Sequence, residues 1–157
     1  MRKKIFIALM AMVIIFTMTS SLCAQETDPA KVVIAMADAL NAGDVEATMA
    51  LFTDDASTKA SYGDALPPDS TIGKEQVRLS MEYMAANNFK IEIEILLVLE
   101  DIVVTRSKTW IDETIQLGIA PLEYIEIYPI QDGKIKGFMS IATDETVAKI
   151  KDALAPK

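Results

Sequence analysis

The sequence predicts an α+β domain, with helices first and then a curved antiparallel sheet that they cover on one face. Three observations predict it: helical spacing of apolar residues up to Asn88, strand-like alternation beyond Phe89, and the dipeptide Asp132-Gly133 between two alternating runs. Helices followed by an antiparallel meander bury their apolar stripes against one sheet face. Such a sheet tends to enclose a pocket between itself and its helices. One domain is expected over residues 25–157, because no Gly/Ser-rich or Pro-rich linker divides them and no internal repeat is visible.

Asp28-Pro29 starts the first helix, a capping side chain followed by the residue whose missing N–H costs nothing there. Val32, Val33, Met36, Ala37 and Leu40 recur at helical spacing, and Gly43 supplies a left-handed stop. Asp44 caps a short second helix with Val45, Met49 and Phe52 on one side, ending in the acidic corner Thr53-Asp54-Asp55. Tyr62 to Thr71, with Gly63, Pro67 and Pro68, reads as a loop. A third helix from Gly73 to about Asn87-Asn88 turns Val77, Met81 and Met84 inward. Ile91, Ile93 and Ile95 then alternate with Glu92 and Glu94 in a half-buried strand towards Leu99. Glu100-Asp101 turns into a second strand, Ile102 to about Ile111. A third, Leu122 to Ile130, joins a fourth, Lys134 to Ala142, through the Asp132-Gly133 hairpin. Thr143 or Asp144 caps a last helix with Val147, Ile150 and Leu154 on one stripe.

The N-terminus reads as a secretory signal: Met1-Arg2-Lys3-Lys4, an apolar run from Ile5 to Met18, then small polar residues, with cleavage after Ala24. The apolar run falls short of the roughly 18 to 20 residues that span a bilayer, so an uncleaved anchor is the weaker alternative. Cys23 raises lipid attachment as another, against which stands the bulky Leu22 before it. The expected product is secreted or periplasmic, touching a membrane only if the signal stays or Cys23 is lipidated.

Charge and composition exclude much chemistry. The 157 residues include 15 Lys+Arg, 23 Asp+Glu, one Cys and no His, and residues 1–24 hold three of the cations, the Cys and no acid. Removing them leaves 12 cations against 23 anions, a net charge of −11. Neither a His-based nucleophile, a His/Cys zinc site nor a redox dithiol can form, so acid-base work at neutral pH falls to a carboxylate, Lys or Tyr. So acidic a surface argues against nucleic acid and anionic lipid as partners. Asp54 and Asp55 lack further oxygen ligands at calcium-loop spacing, so no metal and no cofactor is expected.

Ala39-Leu40-Asn41-Ala42-Gly43-Asp44, followed by Ala50 to Ala56 (Ala-Leu-Phe-Thr-Asp-Asp-Ala), resembles the opening of the nuclear transport factor 2-like superfamily, with its SnoaL-like cyclases and ketosteroid isomerases. Gly73 to Val77, Ala120 to Glu123 and Asp132 to Ile135 resemble its third helix, penultimate strand and last hairpin. The resemblance implies a cone-shaped α+β barrel, a curved antiparallel sheet wrapped around the N-terminal helices and a pocket, often dimeric through the outer sheet face. It runs from about Lys31 to Met139.

Counted from the shared corner, the isomerase base position falls on Ala60 and the first-helix Tyr on Met36, while Glu123 stands where the family's acid would be. The isomerase's proton-abstraction machinery is therefore missing, and SnoaL-like cyclases commonly add a pocket His that this chain lacks. Glu123 shares a strand face with Ile125 and Ile127. If that face lines the pocket, Glu123 is the candidate catalytic acid, since apolar surroundings favour the neutral carboxyl; otherwise it is solvated at the strand's start. Thr105, Ser107 and Thr109 make the pocket polar if they face in, or are there as good strand formers. Met36, Leu40, Phe52, Ala60, Tyr62, Met81 and Met84 complete the expected lining, Tyr62 at the mouth. Trp110, Tyr124 and Tyr128 are the aromatic residues expected at a homodimer contact.

These readings favour an exported domain that binds a small hydrophobic molecule without turnover, and leave open whether it is an enzyme. The alternatives are a Glu123-dependent isomerase, cyclase or hydrolase, and a dimerising interaction module whose cavity is filled by side chains.

Overall fold

The computed structural model describes residues 28–156. The expected signal, its cleavage after Ala24 and the fate of Cys23 lie outside them. Five helices and six strands follow one another: α1 (Pro29–Ala42), α2 (Val45–Ala50), β1 (Phe52–Ser61), β2 (Asp69–Ile72), α3 (Lys74–Ala86), β3 (Lys90–Val98), β4 (Ile102–Trp110), α4 (Asp112–Gln116), β5 (Leu122–Gln131), β6 (Lys134–Ala142) and α5 (Asp144–Leu154).

The strands form one sheet in the order β2-β1-β6-β5-β4-β3. Every pairing is antiparallel except β1 with β6, which is parallel. The sheet is strongly curved but not closed, an open cone rather than a full barrel. Register shifts in the β1/β6, β5/β6 and β3/β4 pairs bend it, because an extra residue on one strand of a pair locally increases twist. At the first of these, Gly137 (φ 155°) lies so close to β1 that an added Cβ would stand 1.9 Å from the Ser57 carbonyl oxygen. Only glycine permits that approach.

Helix α1 forms as its pattern demands. The Asp28 carboxylate accepts from the Ala30 N–H, Pro29 occupies the first turn, and Gly43 closes the helix at φ 70°. Its buried residues are Val32, Val33, Met36, Ala37 and Leu40. With Met49, Phe52, Val77 and Met81 they form the core under the sheet, where each fully buried large side chain contributes about 1.5 to 3 kcal/mol. Asn41 fastens α1 to β3: its amide donates to the Ile91 carbonyl and accepts from the Ile91 N–H, both at 2.8 Å.

Three elements differ from expectation. The corner Thr53-Asp54-Asp55 is not a helix end but part of β1, and the expected loop from Tyr62 contains β2. The spacing misleads there because Met49, Phe52 and Ala56, all buried, stand three and four residues apart, mimicking a helical face. The register irregularity between Phe52 and Ser57 leaves Asp54, midway between Phe52 and Ala56, exposed, so the alternation that would mark a strand is broken. Helix α4 is a single polar-rich turn of Asp112 to Gln116 with no buried residue, so no apolar stripe announces it. No helix among the described residues is long and apolar enough to cross a membrane.

Candidate functional site

A cavity of about 460 Å³ opens between the concave sheet face and the helices. Met36 and Leu40 of α1, Met81 and Met84 of α3, Ala60, Tyr62 and Thr109 line it, as do Ile150, Ala153 and Leu154 of α5. Phe52, Thr105 and Ser107 point inward but are packed into the core, away from the cavity wall. The Thr105 and Ser107 hydroxyls are buried without a hydrogen-bond partner.

Strand β5 inverts the expected faces. Its buried residues are Leu122, Tyr124, Glu126, Tyr128 and Ile130, so Glu123, Ile125 and Ile127 belong to the outer face. Glu123 lies 3.5 Å from Lys108 of neighbouring β4, with 28% of its side chain exposed, and does not reach the cavity. Tyr124 and Tyr128, expected at a dimer contact, line the cavity instead; Trp110 is half-buried beside an outer groove. The hairpin decides this. Ile130 pairs with Ile135 across the turn, and both must be buried, so every even-numbered residue of β5 points inward.

The carboxylate in the cavity is thus Glu126, only 5% exposed. Its two oxygens each accept a hydrogen bond, one from the Tyr128 hydroxyl at 2.6 Å and one from the Ser140 hydroxyl at 2.8 Å. Ser140 is its register partner on β6, and Ala60 of β1 is the next residue along that rung. The bulge beside Gly137 makes this possible. Inward residues of β6 are odd-numbered up to Gly137 and even-numbered from Phe138, which brings Ser140 to Glu126. Burial, with Glu126 alongside, pushes the Tyr128 phenol well above its ordinary pKa, so it keeps its proton and donates. Burial likewise raises Tyr124 and Tyr62, which meet edge to face at a centroid distance of 6.4 Å.

Two more carboxylates stand at the cavity's mouth. Asp69 is exposed on edge strand β2, and Glu113 accepts from the Tyr83 hydroxyl. Helix α5 covers another side, tied to β5 by Thr146, whose hydroxyl accepts from the Glu123 N–H at 2.7 Å and donates to the Glu123 carbonyl at 2.9 Å. Asp54 and Asp55 point to solvent near Lys74 and Lys136. Among the described residues no group of three or more His, Cys, Asp or Glu is placed to hold a metal.

Helices inside an open, curved six-stranded cone define a protein of the nuclear transport factor 2-like, or cystatin-like, class. The chain belongs to the SnoaL-like domain family, whose model matches residues 33–138. Solved structures with this fold include the epoxide hydrolase/cyclase-like enzyme SalBIII of pyran ring formation in salinomycin, at 17% identity, covering 77% of this chain and 95% of that one, with a TM-score of 0.63. A computationally designed 17-OHP binder is similar over 76% of this chain and 94% of its own, at 14% identity and a TM-score of 0.61. A cystatin-fold protein from Novosphingobium aromaticivorans shares 22% identity over 73% of this chain and 97% of its own, with a TM-score of 0.58. At such identities the likeness extends to the fold alone. No curated protein matches the chain.

Proposed function

We propose that this is an exported SnoaL-like domain that binds a small, mainly apolar molecule in its cone cavity, without the isomerase's catalytic base. The observation that carries the reading is the cavity itself, about 460 Å³ walled by Met36, Leu40, Met81 and Met84, with one polar cluster at Glu126. A pocket of that size with apolar walls and a few fixed polar groups suits a small organic ligand. Ala60 and Met36 stand where the isomerase would have its base and its Tyr, which favours retention of the ligand over proton abstraction.

Export rests on the basic, apolar and small-residue order of residues 1–24, and N-terminal sequencing of protein made from the full gene tests it, Gln25 being the expected first residue. A homodimer through the outer sheet face draws on Met139 and Ile141, both exposed there, and on Trp110.

The binding test is native mass spectrometry of the purified protein with its co-purified small molecules, beside an Ala60→Trp variant that fills the cavity. A ligand present on the parent and absent from a folded Ala60→Trp supports the reading; equal loading of both sinks it. Turnover is the second reading, favoured by the buried Glu126 carboxyl beside a phenol at 2.6 Å. It would be revealed by a bound molecule whose mass changes on incubation.

A further inference from the structure

The cavity's side-chain polar groups are of two kinds, carboxylates and hydroxyls. Its carboxylates are Glu126 in the interior and Asp69 and Glu113 at the mouth, and its remaining side-chain polar groups are hydroxyls. Among the described residues, no Lys or Arg lines it. Glu126 carries the consequence. Its two oxygens are held by hydroxyls alone, those of Tyr128 and Ser140, and no cationic side chain reaches it among the described residues. Buried charges are ordinarily paired with an opposite charge, because desolvation alone costs several kcal/mol in such surroundings. No cationic side chain among the described residues stands on the wall, and the cavity beside the carboxyl group has room for a cation carried by a ligand.

From this we propose that the cavity takes a hydrophobic amine, its ammonium set against Glu126 and its apolar body against the methionines and aromatic rings. The proposal rests on the reading of the cavity as a binding site for small apolar molecules. An ammonium donates to carboxylate lone pairs left free by the two hydroxyls, and such charge-assisted bonds are roughly twice as strong as neutral ones. Tyr62, Tyr124, Tyr128 and Phe138 bring aromatic rings to the same wall, and ring faces attract cations. Asp69 and Glu113 at the mouth, on a chain of net charge −8, favour the approach of a cation and oppose that of a carboxylate or phosphate. Fatty acids and other anionic lipids of the right size are thereby disfavoured, although the walls would accept their tails.

Isothermal titration of the purified protein at pH 7 with decylamine, decanol and decanoate, each below its micelle-forming concentration, tests this with one apolar body and three head groups. Decylamine should bind with one site per chain and at least about tenfold more tightly than decanol, the equivalent of one charge-assisted contact. Decanoate should bind weakest. Glu126→Gln, close in shape but uncharged, should bring amine and alcohol to within about threefold of each other. Asp69→Asn, at an exposed position, should weaken the amine about two- to threefold and keep the test decisive if Glu126→Gln does not fold. Decanol or decanoate binding as tightly as decylamine, or an amine preference surviving in folded Glu126→Gln, overturns the amine proposal and leaves the binding reading standing. Failure of all three probes to bind overturns both.

Discussion

Glu123 and Glu126 stand on the same strand and face opposite ways. Glu123 reaches towards Lys108 on the outer sheet face, where water screens the pair. Glu126 is 95% buried, holds two hydroxyl donors and looks into a cavity. One residue type thus gives an ordinary surface ion pair and the polar centre of a site, and the pleat alone decides which. The difference teaches that a carboxylate in this fold acquires chemistry from strand parity, and that whatever fixes parity fixes the site.

Removing the device that sets parity should have the largest effect. Gly137→Ala would place a Cβ 1.9 Å from the Ser57 carbonyl oxygen, against unyielding backbone at the bulge that turns Ser140 towards Glu126. We expect loss of the folded state, read as absent near-ultraviolet circular dichroism and insoluble protein. Retention of a cooperative melt near that of the parent would show that β6 can find another register.

High pH tests the tyrosines packed on the inner face. Tyr128, Tyr124 and Tyr62 all have phenol pKa values raised above the ordinary 10.0, chiefly by burial. The unfolded chain therefore ionises first. The stability these groups contribute is fully present below about pH 10 and is lost as pH climbs towards the folded values. Melting temperature should fall above pH 10 while the tyrosinate absorbance lags behind that of the denatured chain. Simultaneous titration of all tyrosines with no loss of stability would contradict the packed interior.

Tyr128→Phe removes one donor from buried Glu126 and keeps the ring, and leaving a buried acceptor short of a partner costs about 1 to 3 kcal/mol. Denaturant titration should register a loss of that order. On the outer face, Glu123→Gln should cost less than about 1 kcal/mol, since both partners of its pair are partly exposed. If the two substitutions cost the same, the contrast between the faces is wrong.

Much of this architecture was legible in the sequence. α1, α3, β3, β4, the β5–β6 hairpin and α5 follow from apolar spacing, caps and the Asp132-Gly133 turn, each a local signal. β1 was not, because its irregular register leaves Asp54 exposed between buried Phe52 and Ala56 and so breaks the alternation, and β2 has four residues without an apolar alternation. The site was half legible. The α1 and α3 methionines reach the cavity because helical spacing names their face unambiguously. On β5 both faces mix Glu with large apolar residues, so composition could not choose between Glu123 and Glu126. Only the pairing of Ile130 with Ile135 across the hairpin carries that information.

The tie between α5 and β5 has a consequence for substitution and descent. Thr146 grips position 123 through its N–H and C=O, atoms that every residue except proline offers in full. The side chain at 123 can therefore drift, exchanging its charge or losing it, while the helix above keeps its seat over the cavity. A proline there, or a one-residue insertion in β5, would unseat the helix and turn the strand's faces over. Variation at this position should accordingly be free in chemistry and strict in length.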